Sequence, residues 1–434
     1  MHRRQRWIAL GTAGLVVALA LWHAVGWLRP AVPRATGSMT QSVYVWQRAW
    51  THAVADAFGE RTPAFDGSVI VLGAETAWTG GVPATMFVAL DHARIAASSI
   101  PVGVALRIGP CPKEQLADPA TAGLVVRSAR RVLDDARANG WEPREIQIDF
   151  DSATSRLEDY CRWIEAVARE VAPVPVTITG LPSWMSSDAF GPLVQSTAGF
   201  VLQVHSVEKA DLESVDPSLC DSASAIRWTE QAARYGVPFE VALPTYGYIA
   251  VLDESGALAG LVAEAGSSLL RAGARVREVR ADPHAMARLV SHWSSSRPAG
   301  MRGIIWYRLP VEGDRLNWAW PTLCRVARGE SPTGGLEVAA DGRGGELVEL
   351  VAVNRGDLDV ELPRTIEASW SAGAVLLGAD AMGGIDWERA AADAVRLTRT
   401  VGLAEARVRP GERRVLGWIR LSQATEVGIH VVNE

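Results

Sequence analysis

Two rhythms of apolar and polar positions take turns along this chain. Short runs such as VYVWQRAW (Val43–Trp50), GSVIVLGAE (Gly67–Glu75), PVGVALRIG (Pro101–Gly109) and EIQIDFD (Glu145–Asp151) are apolar enough for burial on both faces. The later runs Val174–Gly180, Gly199–Ser206, Val237–Gly247 and Met301–Pro310 read the same way. Strands of a parallel sheet covered by helices have this texture. Between them lie stretches with apolar residues every three or four positions. The clearest is TAGLVVRSARRVLDDARANG, which closes on Asn139-Gly140, a helix C-terminal pair. Others run through 222–235 and 284–295, and a helix is predicted just after Asp151, with Ser152 or Thr154 as its cap. Eight such strands with helical crossovers over residues 42–329 predict an α/β fold, a (β/α)8 TIM-type barrel. A doubly wound sheet would carry a glycine-rich phosphate loop after its first strand, and none is present.

At ESPTGG, beginning with Glu330, the rhythm changes to short alternating strands broken by Gly, Asp and Asn. Residues 330–434 are therefore expected to form a small β-sandwich. It would pack against the barrel or serve as a carbohydrate-binding module, for which Trp370, Trp387 and Trp418 are the available ring platforms. At the other end, Arg3, Arg4 and Arg6 precede an apolar run from Trp7 to Leu28, followed by a Pro/Gly/Ser/Thr linker over 29–41. The run is long enough to span a bilayer, and Ala18-Leu19-Ala20 offers a small-residue cleavage site. Residues 1–28 are thus expected to be a signal anchor in the inner membrane or a signal peptide. Either places the rest in the bacterial cell envelope, facing the periplasm, or outside the cell.

Composition narrows the class. With 48% hydrophobic and 21% charged residues and a net charge of -6, the chain reads as an ordinary globular protein, not a disordered one or a nucleic-acid binder. Cys111, Cys161, Cys220 and Cys324 form no CxxC pair; in an exporting context one or two bridges and buried free thiols both remain open. The eight histidines show no HExxH, and His284 and His292 lie on a helix face, so no metal and no cofactor is expected.

Chemistry is expected where barrel enzymes place it, at the C-terminal ends of the strands. Those ends carry Trp46, Arg48, Glu75, Arg107, Gln147, Asp149, Asp151, Thr179, Gln203, His205, Tyr246, Tyr248, Trp306 and Arg308. In IQIDFDS, residues Gln147, Asp149 and Asp151 share one strand face. Hydrolysis of a glycosidic bond needs one protonated carboxyl and one carboxylate, and two aspartates two positions apart raise one another's pKa. Asp149 and Asp151 are therefore the candidate catalytic pair, with Glu75 as a third carboxylate. Candidate substrate-binding residues are Trp46, Arg48, Arg107, Gln147, Gln203, His205, Tyr246, Trp306 and Arg308. The plainer reading is a buried ion network in which Arg48, Arg107 and Arg308 neutralise the aspartates. Several of the 17 tryptophans, among them Trp50, Trp78, Trp184, Trp318 and Trp320, fall at or beyond strand ends, where indole faces would stack on sugar rings or fill the core.

At VYVWQRAW, VIVLGAE, VALRIG and IQIDFDSA the sequence resembles the bacterial family of domains of unknown function numbered 3142. More distantly, IQIDFD is similar to the fourth-strand motif D-G-x-D-x-D-x-E of chitinase-type glycoside hydrolases, with Asp149 and Asp151 at the second and third acidic positions. Ile146 and Gln147 stand where the motif has Asp and Gly, and Ala153 stands where it has its catalytic Glu. The resemblance implies a glycoside-hydrolase barrel with a carbohydrate ligand. The expectation is a glycoside-hydrolase-like protein of the envelope, or a non-catalytic glycan-binding or envelope-assembly protein on a degenerate barrel.

Overall fold

The computed structural model describes residues 32–205, 218–253, 258–262, 275–342, 345–401 and 406–432. The predicted leader, residues 1–28, lies outside these. Among the described residues no helix is long and apolar enough to cross a membrane.

Eight parallel strands close on themselves. They are β1 (Thr40–Val45), β2 (Val69–Thr79), β3 (Val102–Ile108), β4 (Ile146–Phe150), β5 (Val176–Gly180), β6 (Gly199–Gln203), β7 (Phe239–Pro244) and β8 (Met301–Tyr307). Each pairs with its sequence neighbour, and β8 pairs back onto β1 through Gly303↔Thr40 and Trp306↔Val43. Contact between β1 and β2, Val43↔Val69, completes the ring. The expected (β/α)8 barrel is thus present, with helices α1 (His52–Arg61), α2 (Pro119–Ala138), α3 (Leu157–Val171), α4 (Phe190–Gln195), α5 (Ser222–Ala232), α6 (Pro283–Ser295) and α7 (Trp320–Ala327) around it.

Alternation along each strand sorts side chains into two layers. Val43, Val71, Val104, Ile146, Ile148, Ile178, Leu202, Val241 and Ile304 face the helices and join one large core with Val125, Leu133, Trp163, Ile164 and Trp293. Tyr44, Ile70, Leu72, Ala105, Val201, Ala242 and Ile305 fill the barrel interior as a separate, smaller cluster. The helices are amphipathic accordingly: α3 buries Leu157, Tyr160, Ile164, Val167 and Val171 on one stripe.

Local signals set most helix ends. Asp118 accepts from the Ala120 amide to cap α2, and the chain leaves that helix through Gly140 at a φ of 82°. The start of α3 differs from expectation. A 3-10 turn over Thr154–Arg156 intervenes, so neither Ser152 nor Thr154 caps it. Asp159 in the first turn is instead tied to Arg156 at 2.6 Å and to Arg162.

Two excursions were not legible in the strand pattern. β2 runs on past the barrel, turns at Gly80-Gly81, both with positive φ, and returns as Val82–Phe87. Between β7 and α6, strands Gly247–Leu252, Leu258–Val262 and Arg275–Arg280 form a small antiparallel sheet above the rim.

The C-terminal part contains two four-stranded antiparallel sheets and a two-stranded one, Val360–Glu361 with Arg407–Val408, around a core of Val348, Leu350, Ile366, Trp370, Leu397, Leu416 and Ile419. Trp370 is core, donating Nε1–H to the Ala374 carbonyl, whereas Trp387 is exposed. Arg407 pairs with Glu278 at 2.6 Å, Arg280 with Asp359 at 3.2 Å and Arg325 with Asp357 at 2.8 Å, which ties the sheets to the barrel.

Candidate functional site

Where the strands end, the inward-facing residues enclose a cavity of about 310 Å3. Strand register builds its charged wall. Glu75 on β2 lies opposite Arg107 on β3, and Arg107 lies opposite Asp149 on β4. Acid, base and acid therefore alternate across three neighbouring strands. Glu75 accepts from Arg48 Nε at 2.6 Å and Nη2 at 3.1 Å, and stands 3.4 Å from Arg107 Nε. The Arg48 hydrogen bond, with the charges of both arginines, holds its carboxyl below the usual range despite partial burial. Glu75 is thus an ionised brace between two guanidinium groups.

Asp149 has the opposite character. Thr179 Oγ1 donates to its Oδ1 at 2.7 Å. Burial, and then the charge of Asp151, push its pKa up to about 6, although Arg107 and Thr179 act against them. Asp151 lines the same cavity at its mouth and is exposed by surface area, yet the protein around it still raises its pKa, with Arg107 opposing. Like charge and desolvation make the pair share a proton more readily than two isolated aspartates.

Much of the rest of the wall is aromatic. Tyr307 is its hub, with ring centroids 5.7 Å from Tyr44, 5.5 Å from Trp46, 5.4 Å from Tyr246 and 5.6 Å from His205. Burial lowers the His205 pKa to about 4, so its imidazole is neutral near pH 7. His205 Nδ1 and Trp46 Nε1 are both buried and have no hydrogen-bond partner among the described residues.

Below this layer runs a one-way hydrogen-bond chain. Tyr44 OH donates to Gln147 Oε1 at 2.6 Å, Gln147 Nε2 to Thr177 Oγ1 at 3.4 Å, and Thr177 Oγ1 to Glu145 Oε2 at 2.6 Å. Tyr44 has committed its proton to Gln147, so its hydroxyl ties the cavity floor to the layer beneath.

The structure brings together Trp46, Arg107, Asp149, Asp151, Gln203, His205 and Tyr246 of the residues singled out in the sequence, along with Thr179. Others stand elsewhere. Gln147 is one layer down, in the chain just described. Arg48 and Glu75 form the brace beside the cavity. Arg308 is buried behind the rim, paired with Asp314 at 2.6 Å. Trp306 is a correction: it faces the helices, fully buried, and donates to Gln41 Oε1 at 2.6 Å. Strand alternation gives the inward place to Tyr307. Tyr44 and Tyr307 are the aromatic cavity residues that the strand-end reading omits. Their parity with Trp46 and Ile305 was the available signal. The four cysteines are all unbridged. Among the described residues no group of three or more His, Cys, Asp or Glu side chains is placed to hold a metal.

Residues 105–312 match the family model DUF3142, a domain of unknown function. The DUF3142 segment runs from β3 to beyond β8 and so carries Arg107, Asp149, Asp151, His205 and Tyr307. Residues 337–422 match a second domain of unknown function, DUF8456. No curated protein matches the chain. Among solved structures, the spore cortex-lytic enzyme SleL of Bacillus cereus is similar at 14% identity and a TM-score of 0.46, over 68% of this chain and 75% of its own. A chitinase from Chromobacterium violaceum is similar at 13% identity and a TM-score of 0.44, over 67% of this chain and 99% of its own. The SleL of Bacillus megaterium gives 11% and 0.45, over 68% and 75%. Identities this low carry nothing about substrate.

Proposed function

We propose that the barrel binds a carbohydrate in the strand-end cavity and hydrolyses a glycosidic bond with the Asp149–Asp151 pair. One observation carries the reading: two carboxyl groups with raised pKa values share a cavity with the rings of Tyr44, Trp46, Tyr246 and Tyr307. Sugar rings present apolar faces to aromatic side chains and hydroxyls to polar ones. A cavity of about 310 Å3 suits about one hexose unit.

In this reading Asp149, the more buried, holds the proton in mildly acidic solution and delivers it to the leaving oxygen. Asp151 is the anion facing the developing oxocarbenium charge; a water molecule then bonds to the anomeric carbon and returns a proton to the Asp149 carboxylate, which resets the pair. Arg107 keeps Asp151 ionised, and Glu75 keeps Arg107 in place. Thr179 fixes the Asp149 carboxyl. The rings of Trp46, Tyr246 and Tyr307 offer the faces on which a sugar ring stacks. The apolar leader supports a location in the cell envelope.

A second reading, glycan binding without turnover, has its own observation. Among the described residues the only carboxylates lining the cavity are Asp149 and Asp151, both from the end of one strand, so none faces them from the opposite wall. Ala153 is exposed beyond them.

Purified protein incubated with bacterial envelope polysaccharides and neutral oligosaccharides decides between these readings. Release of reducing ends, abolished by Asp151→Asn in a protein with unchanged circular dichroism, supports hydrolysis. Saccharide binding that survives Asp151→Asn with no product supports the binder. Absence of both overturns the carbohydrate reading.

A further inference from the structure

Between β8 and α7 the chain folds back against the ends of two strands. It turns at Gly313, φ 84°, and at Asp314, whose Oδ1 accepts from the Leu316 amide at 3.2 Å. Asn317 then pairs with Tyr246, just past β7, as an isolated antiparallel bridge. The Gly247 amide donates to the Leu316 carbonyl at 2.5 Å beside it, and the Trp318 amide to the Thr245 carbonyl at 2.9 Å. On its other side Asn317 holds the end of β8: its Nδ2 donates to the carbonyls of Arg308 at 3.1 Å and Leu309 at 3.2 Å. The side chain is fully buried, and both its donors are spent on backbone. Thr245, equally buried, closes the join. Its amide donates to the Tyr307 carbonyl at 2.8 Å, and its Oγ1 accepts from the Arg308 amide at 2.7 Å and donates to the Arg308 carbonyl at 2.6 Å.

Asn317 is thus a staple between two strand ends, and each end carries one tyrosine of the central cavity. Tyr246 is the residue bridged to it, and Tyr307 immediately precedes Arg308. Their ring centroids lie 5.4 Å apart, and His205 stacks on Tyr307 at 5.6 Å.

The grip on the staple comes from the C-terminal sheets. Arg409, next after the strand Arg407–Val408, donates from Nη2 to the carbonyls of Asp314 at 2.6 Å and Asn317 at 2.7 Å. Arg280 of the rim sheet adds donors to the Arg315 and Asn317 carbonyls at 3.0 and 3.4 Å, and is itself paired with Asp359. Hydrogen bonds from a charged donor are the stronger kind, and Arg409 spans two carbonyls of one turn with them.

We propose that Arg409 is a positioning residue for the central cavity: it holds Asn317 in place, and Asn317 sets the Tyr246 and Tyr307 rings against each other and against His205. The C-terminal sheets are then a working part of the barrel's site. The positioning belongs to the wall itself; only its effect on saccharide affinity rests on the carbohydrate reading.

Proton–carbon NMR of the full chain labelled at histidine tests this, because an imidazole stacked on Tyr307 reports the position of that ring through its C–H shifts. His205→Gln identifies the His205 resonances by their loss. Arg409→Met removes every donor at similar length; it should displace those resonances and weaken saccharide affinity about tenfold in calorimetric titration. Arg409→Lys, which can still donate to both carbonyls, should restore both. Arg413→Met breaks ion pairs to Asp341 and Glu349 within the C-terminal sheets and leaves Asn317 alone, so His205 should not move. Arg409→Gln, polar but too short to span both carbonyls, decides the question if Arg409→Met does not fold. Resonances of His205 that stay in place in a folded Arg409→Met or Arg409→Gln, or that move equally in Arg413→Met, overturn the positioning. If wild type binds no saccharide, the carbohydrate reading falls and the His205 resonances still decide the positioning.

Discussion

Arg107 and Asp149 are registered partners across the β3–β4 pairing, which fixes a guanidinium beside a carboxyl that burial holds at about 6. The arginine lowers both Asp149 and Asp151 against a larger desolvation effect. Arg107→Gln should therefore move both carboxyl titrations to higher pH, and with them the alkaline limb of any pH–rate profile. Carbon-detected NMR of the aspartate carboxyls measures this directly. Titrations that do not move would show that the charge of Arg107 does not reach the pair.

Asp149 itself makes the folded protein sensitive to pH. A carboxyl with its pKa raised on folding adds stability below its unfolded value near 4, and that contribution is lost as pH rises through about 6. Asp149→Asn keeps the neutral shape at every pH. It should match wild type near pH 3.5 and exceed it near pH 8, by on the order of 2 kcal/mol. Urea denaturation at the two pH values checks both the sign and the size.

Glu240 extends this argument to the other end of the barrel. It faces inward from β7, accepts from Ser42 Oγ at 2.8 Å, and burial pushes its pKa up to about 8. Wild-type stability should fall as pH rises from about 5 through 8, where this carboxyl is forced to ionise. Glu240→Gln should flatten that fall and leave the protein roughly 2–4 kcal/mol more stable than wild type at pH 9. Equal melting curves at pH 9 would refute the assignment.

The brace and the pair separate kinetically. Glu75→Gln frees Arg48 and Arg107 without removing a group from the cavity wall, so saccharide hydrolysis should fall by about tenfold. Asp151→Asn removes the anion itself and should cost on the order of 10³-fold. Initial rates on the same oligosaccharide, with both proteins checked by circular dichroism, read the difference. Equal losses would place Glu75 in the chemistry.

Neighbours on β8 should diverge as well. Trp306→Phe loses the bond to Gln41 and leaves a void in the layer under the helices, a stability loss of about 1–3 kcal/mol with saccharide affinity unchanged. Tyr307→Ala opens the aromatic hub and should weaken saccharide binding by about tenfold or more. Melting temperature and calorimetric affinity together distinguish the two.

The sequence by itself determined the layers and their rhythm. Apolar runs flanked by amphipathic stretches leave few ways to bury both faces of eight short strands, so the barrel and the place of its rim were legible. So were Asp149 and Asp151 as a same-face pair, because two residues apart on a strand is a purely local relation. Register between strands is not local. Only closure of the barrel set Glu75 opposite Arg107 and Arg107 opposite Asp149, which turned Glu75 from a third acid into an ionised brace. Parity at a strand end depends on where pairing begins, and that exchanged Trp306 for Tyr307. The distinction between a carboxyl near 6 and one held low came from what lies within a few ångströms in space, and the chain assembles most of that neighbourhood from different strands, with Arg48 27 residues from Glu75 and Thr179 30 from Asp149.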